Sequence, residues 1–195
     1  MSPIYDNHGI RKYLTADERA AFLRATNTMP REPKLFCRLL AYTGARLTEV
    51  LSLTAHSFDF DEGLVVIESL KKRRRGMFRA VPLPPRLMAE IDEIFDIRAI
   101  QHMNLNTGER LWRFKRTTAW KHVKVGMSRA SVSGVHASPK GLRHTFAISA
   151  LQAGIPISLV KKWLGHAKIE TTAIYAEVIG KEEIAFAEKL WRGFH

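Results

Sequence analysis

The segment LGHAKIETTAIYA, residues 164–176, places Tyr175 nine residues after His166. It is the last of several segments whose residue types and spacing indicate structure and chemistry. Upstream of it, the Ser-Pro pair at 138–139 is a strong helix start, because serine caps a helix and proline fits its first turn. The helix that begins there is expected to run to about Gln152. Proline and glycine then predict one more helix before the segment and a short helix inside it.

The first half of the chain adds helices and one small sheet. Thr15 and Glu18 form a capping box that opens a helix, and Gly44 fits the left-handed cap of the next one. The run 64–68, rich in β-branched residues, predicts a strand, and 78–81 is expected to be its partner in an antiparallel hairpin. The predicted fold is therefore mainly α with a small antiparallel β-sheet (α+β).

The hairpin turn is strongly cationic, since KKRRRG occupies residues 71–76. Prolines end the hairpin, and a single helix is expected from about residue 86 to residue 99. Another helix is expected over 117–127. No internal repeat or low-complexity tract interrupts these elements.

Charge narrows the choice of partner. The chain has 31 Lys and Arg against 19 Asp and Glu, a formal net charge of +12. Such an excess is typical of proteins that bind polyanions, because each neutralised phosphate releases counterions. Charge alone does not separate DNA from RNA or from an anionic membrane surface.

Location and redox state follow from what the sequence contains. No apolar run approaches the roughly 20 residues that cross a bilayer, so no membrane partner is expected. The N-terminal residues do not resemble a signal peptide, so a cytoplasmic, nucleoid-associated protein is expected. The one cysteine, Cys37, is expected to be a buried small hydrophobe.

Three segments deliver cationic side chains and one hydroxyl: Arg46 in TGARLTEVLSL (43–53), Arg143 in PKGLRHTFA (139–147), and His166 with Tyr175 in the segment above. An arginine fork holds two phosphate oxygens with a permanent charge. Tyrosine becomes a nucleophile when cations favour its phenolate, since its free pKa is near 10. These residues indicate attack on a phosphodiester, and the net charge favours DNA.

The three segments together resemble the catalytic domain of the tyrosine recombinases of the phage-integrase class. TGARLTEVLSL is similar to the first arginine box of that family, KGLRHTFA to the second, and LGHAKIETTAIYA to the terminal segment. Order and spacing agree over about residues 14–178. The resemblance implies DNA strand exchange through a 3′-phosphotyrosyl intermediate, two strands at a time, by way of a Holliday junction.

The resemblance also implies a role for each matching residue. Arg46 and Arg143 would clamp the phosphate, His166 would bind a nonbridging oxygen, and Tyr175 would attack. Lys140 stands where the family usually has histidine. Lysine can donate a hydrogen bond there, but at neutral pH it is a poor acceptor.

The general acid of the family is a lysine of the hairpin, which corresponds here to Lys71 or Lys72. Lys71 is preferred because it directly follows the strand. Lys72, Arg73, Arg74 and Arg75 are expected to contact DNA, with the arginines on phosphates rather than base edges.

The remaining histidines do not suggest a metal site. His144 is interpreted as a structural or supporting residue. Five more show no metal-ligand spacing: His8, His56, His102, His122 and His136. Neither a metal nor a cofactor is predicted.

The expected organisation is an arm over 1–14, a catalytic domain over 15–180 and a C-terminal helix over 181–195. The helix has an apolar stripe that either packs on its own domain or docks on a neighbour in a homotetramer on double-stranded DNA. Family members usually carry an N-terminal core-binding domain, for which the position of the first box leaves no room. The size resembles the short fimbrial phase-variation recombinases, and an excised domain or a truncated element is equally compatible with it.

Two other functions remain open at this stage. A topoisomerase IB-like enzyme would use the same chemistry without a partner strand. A non-catalytic DNA-binding regulator would keep the fold without turnover. A general RNA-binding protein is less favoured, because it would not need a histidine and a tyrosine at this spacing.

Overall fold

The computed structural model describes residues 4–70, 76–103, 108–166, 168–176, 187, 188 and 191. The helices are α1 (Ala16–Ala25), α2 (Arg31–Thr43), α3 (Leu47–Leu51), α4 (Pro85–Phe95), α5 (Ile97–His102), α6 (Arg116–Arg129), α7 (Pro139–Gln152), α8 (Ile157–Leu164) and α9 (Glu170–Ala173). The strands β1 (Phe58–Asp59), β2 (Leu64–Glu68) and β3 (Phe78–Pro82) form one antiparallel sheet in that order. The mainly α fold with a small antiparallel sheet is confirmed.

Helix α2 forms the centre of the larger hydrophobic core. Its side chains at helical spacing, including Leu35, Phe36 and Leu39, are fully buried, and the helix packs against α4, α6 and α7. Burying each such side chain contributes about 1.5–3 kcal/mol. Cys37 is buried on the same helix, as predicted.

Gly44 ends α2 in the left-handed conformation, with φ at 60°, as predicted. That conformation favours glycine because other residues carry a Cβ. A Cβ at this position would also lie only 2.5 Å from the ring of Phe146 on α7. The missing side chain therefore lets the end of α2 lie directly against the helix that carries Arg143.

An arginine, Arg79, occupies a buried position of strand β3, which pairs with β2. In this pairing, Val65 and Ile67 of β2 lie opposite Val81 and Arg79 of β3. Because alternate residues share a face of a strand, Arg79 lies on the same inward face as Val81. The cationic turn predicted between these strands lies, over residues 71–75, outside the described residues.

The single helix predicted from 86 to 99 is wrong, because the structure has two helices there. Asp96 adopts the left-handed conformation, with φ at 48°, and separates α4 from α5. The carboxylate of Asp92 accepts a hydrogen bond of 2.9 Å from the backbone N–H of Arg98. That bond satisfies a donor at the start of α5, which has no partner within its own helix.

The N-terminal residues pack on a second, smaller core. Ile4 is fully buried in a cluster that also contains Phe146, Leu164 and Tyr175. The candidate nucleophile therefore lies where α7, α8 and the N-terminal segment meet.

The predicted C-terminal helix lies almost wholly outside the described residues. Of 181–195, only 187, 188 and 191 are described, and Trp191 is exposed. None of the helices in the described part of the chain is both long and apolar enough to cross a bilayer.

Candidate active site

Helix α7 positions the second arginine box. Its first turn is capped by the Ser138 hydroxyl, which accepts a hydrogen bond of 3.1 Å from the N–H of Gly141. A Cβ at Gly141 would overlap the backbone carbonyl of His136. Glycine thus lets the helix start tightly against the preceding loop, which fixes where the next residues point.

The guanidinium of Arg143 donates hydrogen bonds to the C-terminal ends of helices α2 and α8. Its Nη1 donates to the carbonyl of Gly44 at 2.7 Å, and its Nη2 donates to the carbonyl of Leu164 at 2.8 Å. Burial, with the nearby charge of Arg46, lowers the pKa of Arg143 to about 10. The guanidinium is therefore still charged at neutral pH, and two of its donors fix its plane.

Arg46, the candidate arginine of the first box, is held by the buried carboxylate of Glu49. Arg46 precedes α3 and donates from its backbone N–H (2.9 Å) and its Nη1 (2.8 Å) to the carboxylate of Glu49. Arg79 donates to the same carboxylate at 2.6 Å and to the carbonyl of Trp163 at 2.7 Å. Burial opposes the charge of Glu49, but Arg79 and Arg46 outweigh it and hold the pKa of that carboxyl below its usual range.

Glu49 and Arg79 are residues that the sequence prediction missed. The glutamate lies three residues after Arg46, the spacing at which a side chain returns to the start of its own helix. The arginine occupies an inward position of a β-strand, where a charged residue almost always needs a buried partner. These two local signals could have suggested the pair.

Replacing Glu49 by glutamine is expected to lower the free energy of unfolding by about 3–5 kcal/mol at pH 7, because it leaves Arg79 as an unpaired buried charge. A carboxyl whose folded pKa is depressed stabilises the fold above its unfolded pKa, near 4.3, and loses this effect as pH falls through the folded pKa. The difference between wild type and variant should therefore shrink below about pH 4. Urea unfolding at several pH values measures it.

The matched control for this prediction is Glu93→Gln. Glu93 is exposed and lies 3.8 Å from Arg31, so its loss should cost about 0–1 kcal/mol. Equal effects of the two substitutions at pH 7 would show that the Glu49 carboxylate does not stabilise the fold.

Tyr175 lies in the turn after α9 with only 4% of its surface exposed. Its hydroxyl lies 3.1 Å from Nδ1 of His144, and its ring stacks on His166 with centroids 6.3 Å apart. Burial raises the pKa of Tyr175, against the opposing charges of Arg143 and Arg46. The hydroxyl is therefore protonated in this conformation at neutral pH.

Three of the predicted cationic residues, Arg46, Lys140 and Arg143, line one cavity of about 470 Å³. Its other lining residues include Arg116, Trp120 and His144. Tyr175 does not line it, but its hydroxyl contacts His144, which does. Lys140 is exposed at the start of α7. A cavity with four lysine and arginine side chains is suited to an anion of the size of a phosphodiester.

One more predicted site residue that the structure describes, His166, does not line this cavity. His166 lines a different cavity, of about 340 Å³, with Lys161 and Lys162 of α8, and its Nδ1 lies 2.9 Å from the hydroxyl of Thr172. Lys71, Lys72, Arg73, Arg74 and Arg75 lie outside the described residues. Within the described part of the chain, no group of three histidine, cysteine or acidic side chains could hold a metal ion.

The sequence model described as "Phage integrase family" matches residues 12–181. The chain belongs to the phage integrase family. This membership confirms the resemblance that the three segments predicted.

Among curated proteins, this phage integrase family chain is similar to several recombinases. A tyrosine recombinase of Thermosipho africanus is 28% identical over 183 residues, which cover 93% of this chain and 62% of the relative. Tyrosine recombinase XerA of Thermococcus kodakarensis is 30% identical over 168 residues, which cover 86% of this chain and 58% of the relative. The chain thus spans about three fifths of these two relatives.

Solved structures of the family agree with the fold. A crystal structure of XerA recombinase superposes with a TM-score of 0.71 at 25% identity, covering 92% of this chain and 65% of that one. The catalytic domain of bacteriophage HP1 integrase gives 0.64 at 21% identity, covering 91% and 93%. The second match shows that the fold is shared with a domain of similar size.

Proposed function

We propose that this chain is the catalytic part of a site-specific DNA recombinase that breaks and rejoins strands through Tyr175. The observation that carries the proposal is that Arg46, Lys140 and Arg143 line one cavity together with His144, whose Nδ1 lies 3.1 Å from the Tyr175 hydroxyl. Membership of the phage integrase family supports it. One structural neighbour, at 20% identity, is titled as the XerH recombinase bound to its difH substrate before cleavage.

In the proposed reaction, the phosphodiester enters the cavity and the two arginines bind its nonbridging oxygens. Their charge stabilises the pentavalent transition state, in which negative charge accumulates on those oxygens. Tyr175 attacks phosphorus, and Lys71 gives a proton to the leaving 5′-oxygen. The product is a 3′-phosphotyrosyl bond, and a 5′-hydroxyl of the partner strand then displaces the tyrosine.

Attack requires Tyr175 to leave its buried position. Its hydroxyl contacts His144 rather than the space between the arginines, and its ring belongs to the smaller core. Tyr175 is in the turn that follows the four-residue helix α9, near the end of the continuously described chain. We propose that DNA binding moves this turn and brings the hydroxyl to the edge of the cavity at His144, where it keeps its contact with Nδ1.

The proposed assembly is a homotetramer on double-stranded DNA, associated with the nucleoid and joined through the C-terminal helix. The apolar stripe of that helix in the sequence and the exposed side chain of Trp191 support this contact. The expected result is that the full chain forms larger complexes on DNA than a chain ending at Gly180. Light scattering of the DNA-bound proteins would contradict the proposal if both gave the same mass.

The test of the reaction uses a pool of nicked DNA duplexes whose central sequence is randomised. The nick lets the short cleaved end diffuse away, so that cleaved DNA stays attached to the protein. We expect a covalent adduct that protease removes, and sequencing of the attached DNA gives the target. A pool that yields no adduct contradicts the proposed reaction and favours the non-catalytic regulator.

The recovered duplex then distinguishes the topoisomerase-like alternative. Two labelled duplexes of that sequence should exchange strands with one another in the presence of the chain. Relaxation of a supercoiled plasmid without any exchanged product would favour the nicking-closing enzyme.

A further inference from the structure

The geometry points to His144 as the base that takes the hydroxyl proton of Tyr175. This inference rests on the proposed function of Tyr175 as nucleophile. Nδ1 of His144 lies 3.1 Å from the tyrosine oxygen, and both side chains are buried. His144 also lines the cavity with Arg46 and Arg143. It is therefore the described residue that joins the nucleophile to the phosphate-binding cavity.

The two other candidates for this role are placed less well. Lys140 offers an ammonium group, which donates hydrogen bonds and has no lone pair with which to accept a proton. His166 lies parallel to the ring of Tyr175 at 6.3 Å, with its Nδ1 against Thr172. His144 thus provides, four residues after Lys140, the acceptor that lysine cannot provide.

The protonation state of His144 is suited to an acceptor. Burial lowers its pKa to about 4, helped by Lys140 and Arg143 on its own helix and by Lys12 of the N-terminal segment. The ring is therefore neutral at pH 7, with one bare nitrogen. A bound phosphate would offset the charges of Lys140 and Arg143, which raises the basicity of the ring when the reaction needs it.

The position of the ring hydrogen of His144 shows whether Nδ1 accepts or donates the hydrogen bond with Tyr175. Nε2 of His144 is buried and has no hydrogen-bond partner among the described residues. The contact with Tyr175 is then what selects the tautomer. If Nδ1 accepts from the hydroxyl, the ring hydrogen is on Nε2.

The proposed step balances without a further reactant. The O–H bond of Tyr175 breaks and its proton moves to Nδ1, while the tyrosine oxygen bonds to phosphorus. The bond from phosphorus to the 5′-oxygen breaks, and Lys71 supplies the proton to that oxygen. In rejoining, the imidazolium of His144 returns its proton to the departing tyrosine oxygen.

The first test needs no DNA. Nitrogen NMR of the full chain, with labelled histidine, should show that the ring hydrogen of His144 is on Nε2. The Nδ1 signal should move in Tyr175→Phe, which removes the contact. A hydrogen on Nδ1 would overturn the proposal, since His144 would then be the donor.

The second test measures cleavage of the recovered duplex by His144→Asn. Asparagine keeps a polar atom near Nδ1 but cannot take a proton. Loss of a general base should slow adduct formation by about 10²–10⁴. Thermal stability and affinity for uncleaved DNA should stay near wild type. His122→Asn, a change at a partly buried histidine of α6 that does not line the cavity, should cleave at the wild-type rate.

A substrate with sulfur as the leaving 5′-atom separates base from acid. A thiolate leaves without a proton, since thiols have a pKa near 8.5. The slow cleavage of Lys71→Ala should recover on this substrate, whereas that of His144→Asn should remain slow.

Two failures are distinguishable. If wild type attaches to DNA and His144→Asn does so equally fast or faster, His144 is not the base, although the proposed function stands. If wild type itself forms no adduct, the proposed function fails and this inference fails with it.

Discussion

Replacing Tyr175 by phenylalanine is expected to abolish covalent attachment of the chain to DNA. Phenylalanine keeps the ring that packs in the smaller core with Phe146 and Leu164, and it removes only the hydroxyl. Loss of the nucleophile of an enzyme slows its reaction by a factor on the order of 10⁶. Adduct formation should therefore fall below detection, while the fold and the affinity for uncleaved DNA are retained.

Gel electrophoresis under denaturing conditions, with labelled duplex, measures this result. Tyr42→Phe is the matched control, because Tyr42 lies on α2 outside the candidate site and should attach at the wild-type rate. An adduct of normal yield with Tyr175→Phe would mean that another residue attacks the phosphate.

Replacing Arg143 by alanine is expected to reduce cleavage by at least about 10²–10³, the usual cost of removing one donor to a transition-state oxygen. The fold should also lose stability, because the carbonyls of Gly44 and Leu164 lose their partner. An unpaired buried acceptor costs about 1–3 kcal/mol. Lysine should not restore either property, since one ammonium cannot reproduce a planar fork that holds two carbonyls.

Arg116→Ala is the control for the loss of charge alone. Arg116 lines the same cavity but is exposed at the start of α6. Its removal should weaken DNA binding and lower the salt slope by about one, with cleavage at saturating DNA retained. Single-turnover rates and salt titrations compare the two variants. Equal losses of rate would contradict a specific role of Arg143 in the transition state.

Local signals explain why much of the fold was predictable. The capping box of Thr15 and Glu18 is present in full, and Gly44 ends its helix as predicted, because a cap depends on a few adjacent residues. The break at Asp96 was not predicted, since a left-handed aspartate carries no signal as strong as glycine or proline. The pair of Glu49 and Arg79 was missed for a different reason: each residue has a local signal, but no local signal says that two positions 30 residues apart are partners.

In the candidate site, too, residues with a local sequence pattern were predicted, whereas a contact between distant residues was not. The family boxes identified Arg46 and Arg143, and the structure brings both to one cavity. The contact between His144 and Tyr175 joins residues 31 positions apart through the packing of α7 against the turn after α9. No local pattern encodes that contact, so the sequence favoured a structural role for the histidine.

In the proposed reaction, the chain stores the broken strand as a 3′-phosphate on Tyr175. Mass spectrometry of the DNA-linked peptide, after digestion of the protein and trimming of the attached DNA, identifies the linked residue and the linked phosphate. We predict one modified peptide, with a nucleoside 3′-phosphate on the Tyr175 oxygen and a free 5′-hydroxyl on the released strand. Linkage to any other residue, or through a 5′-phosphate, would contradict the account.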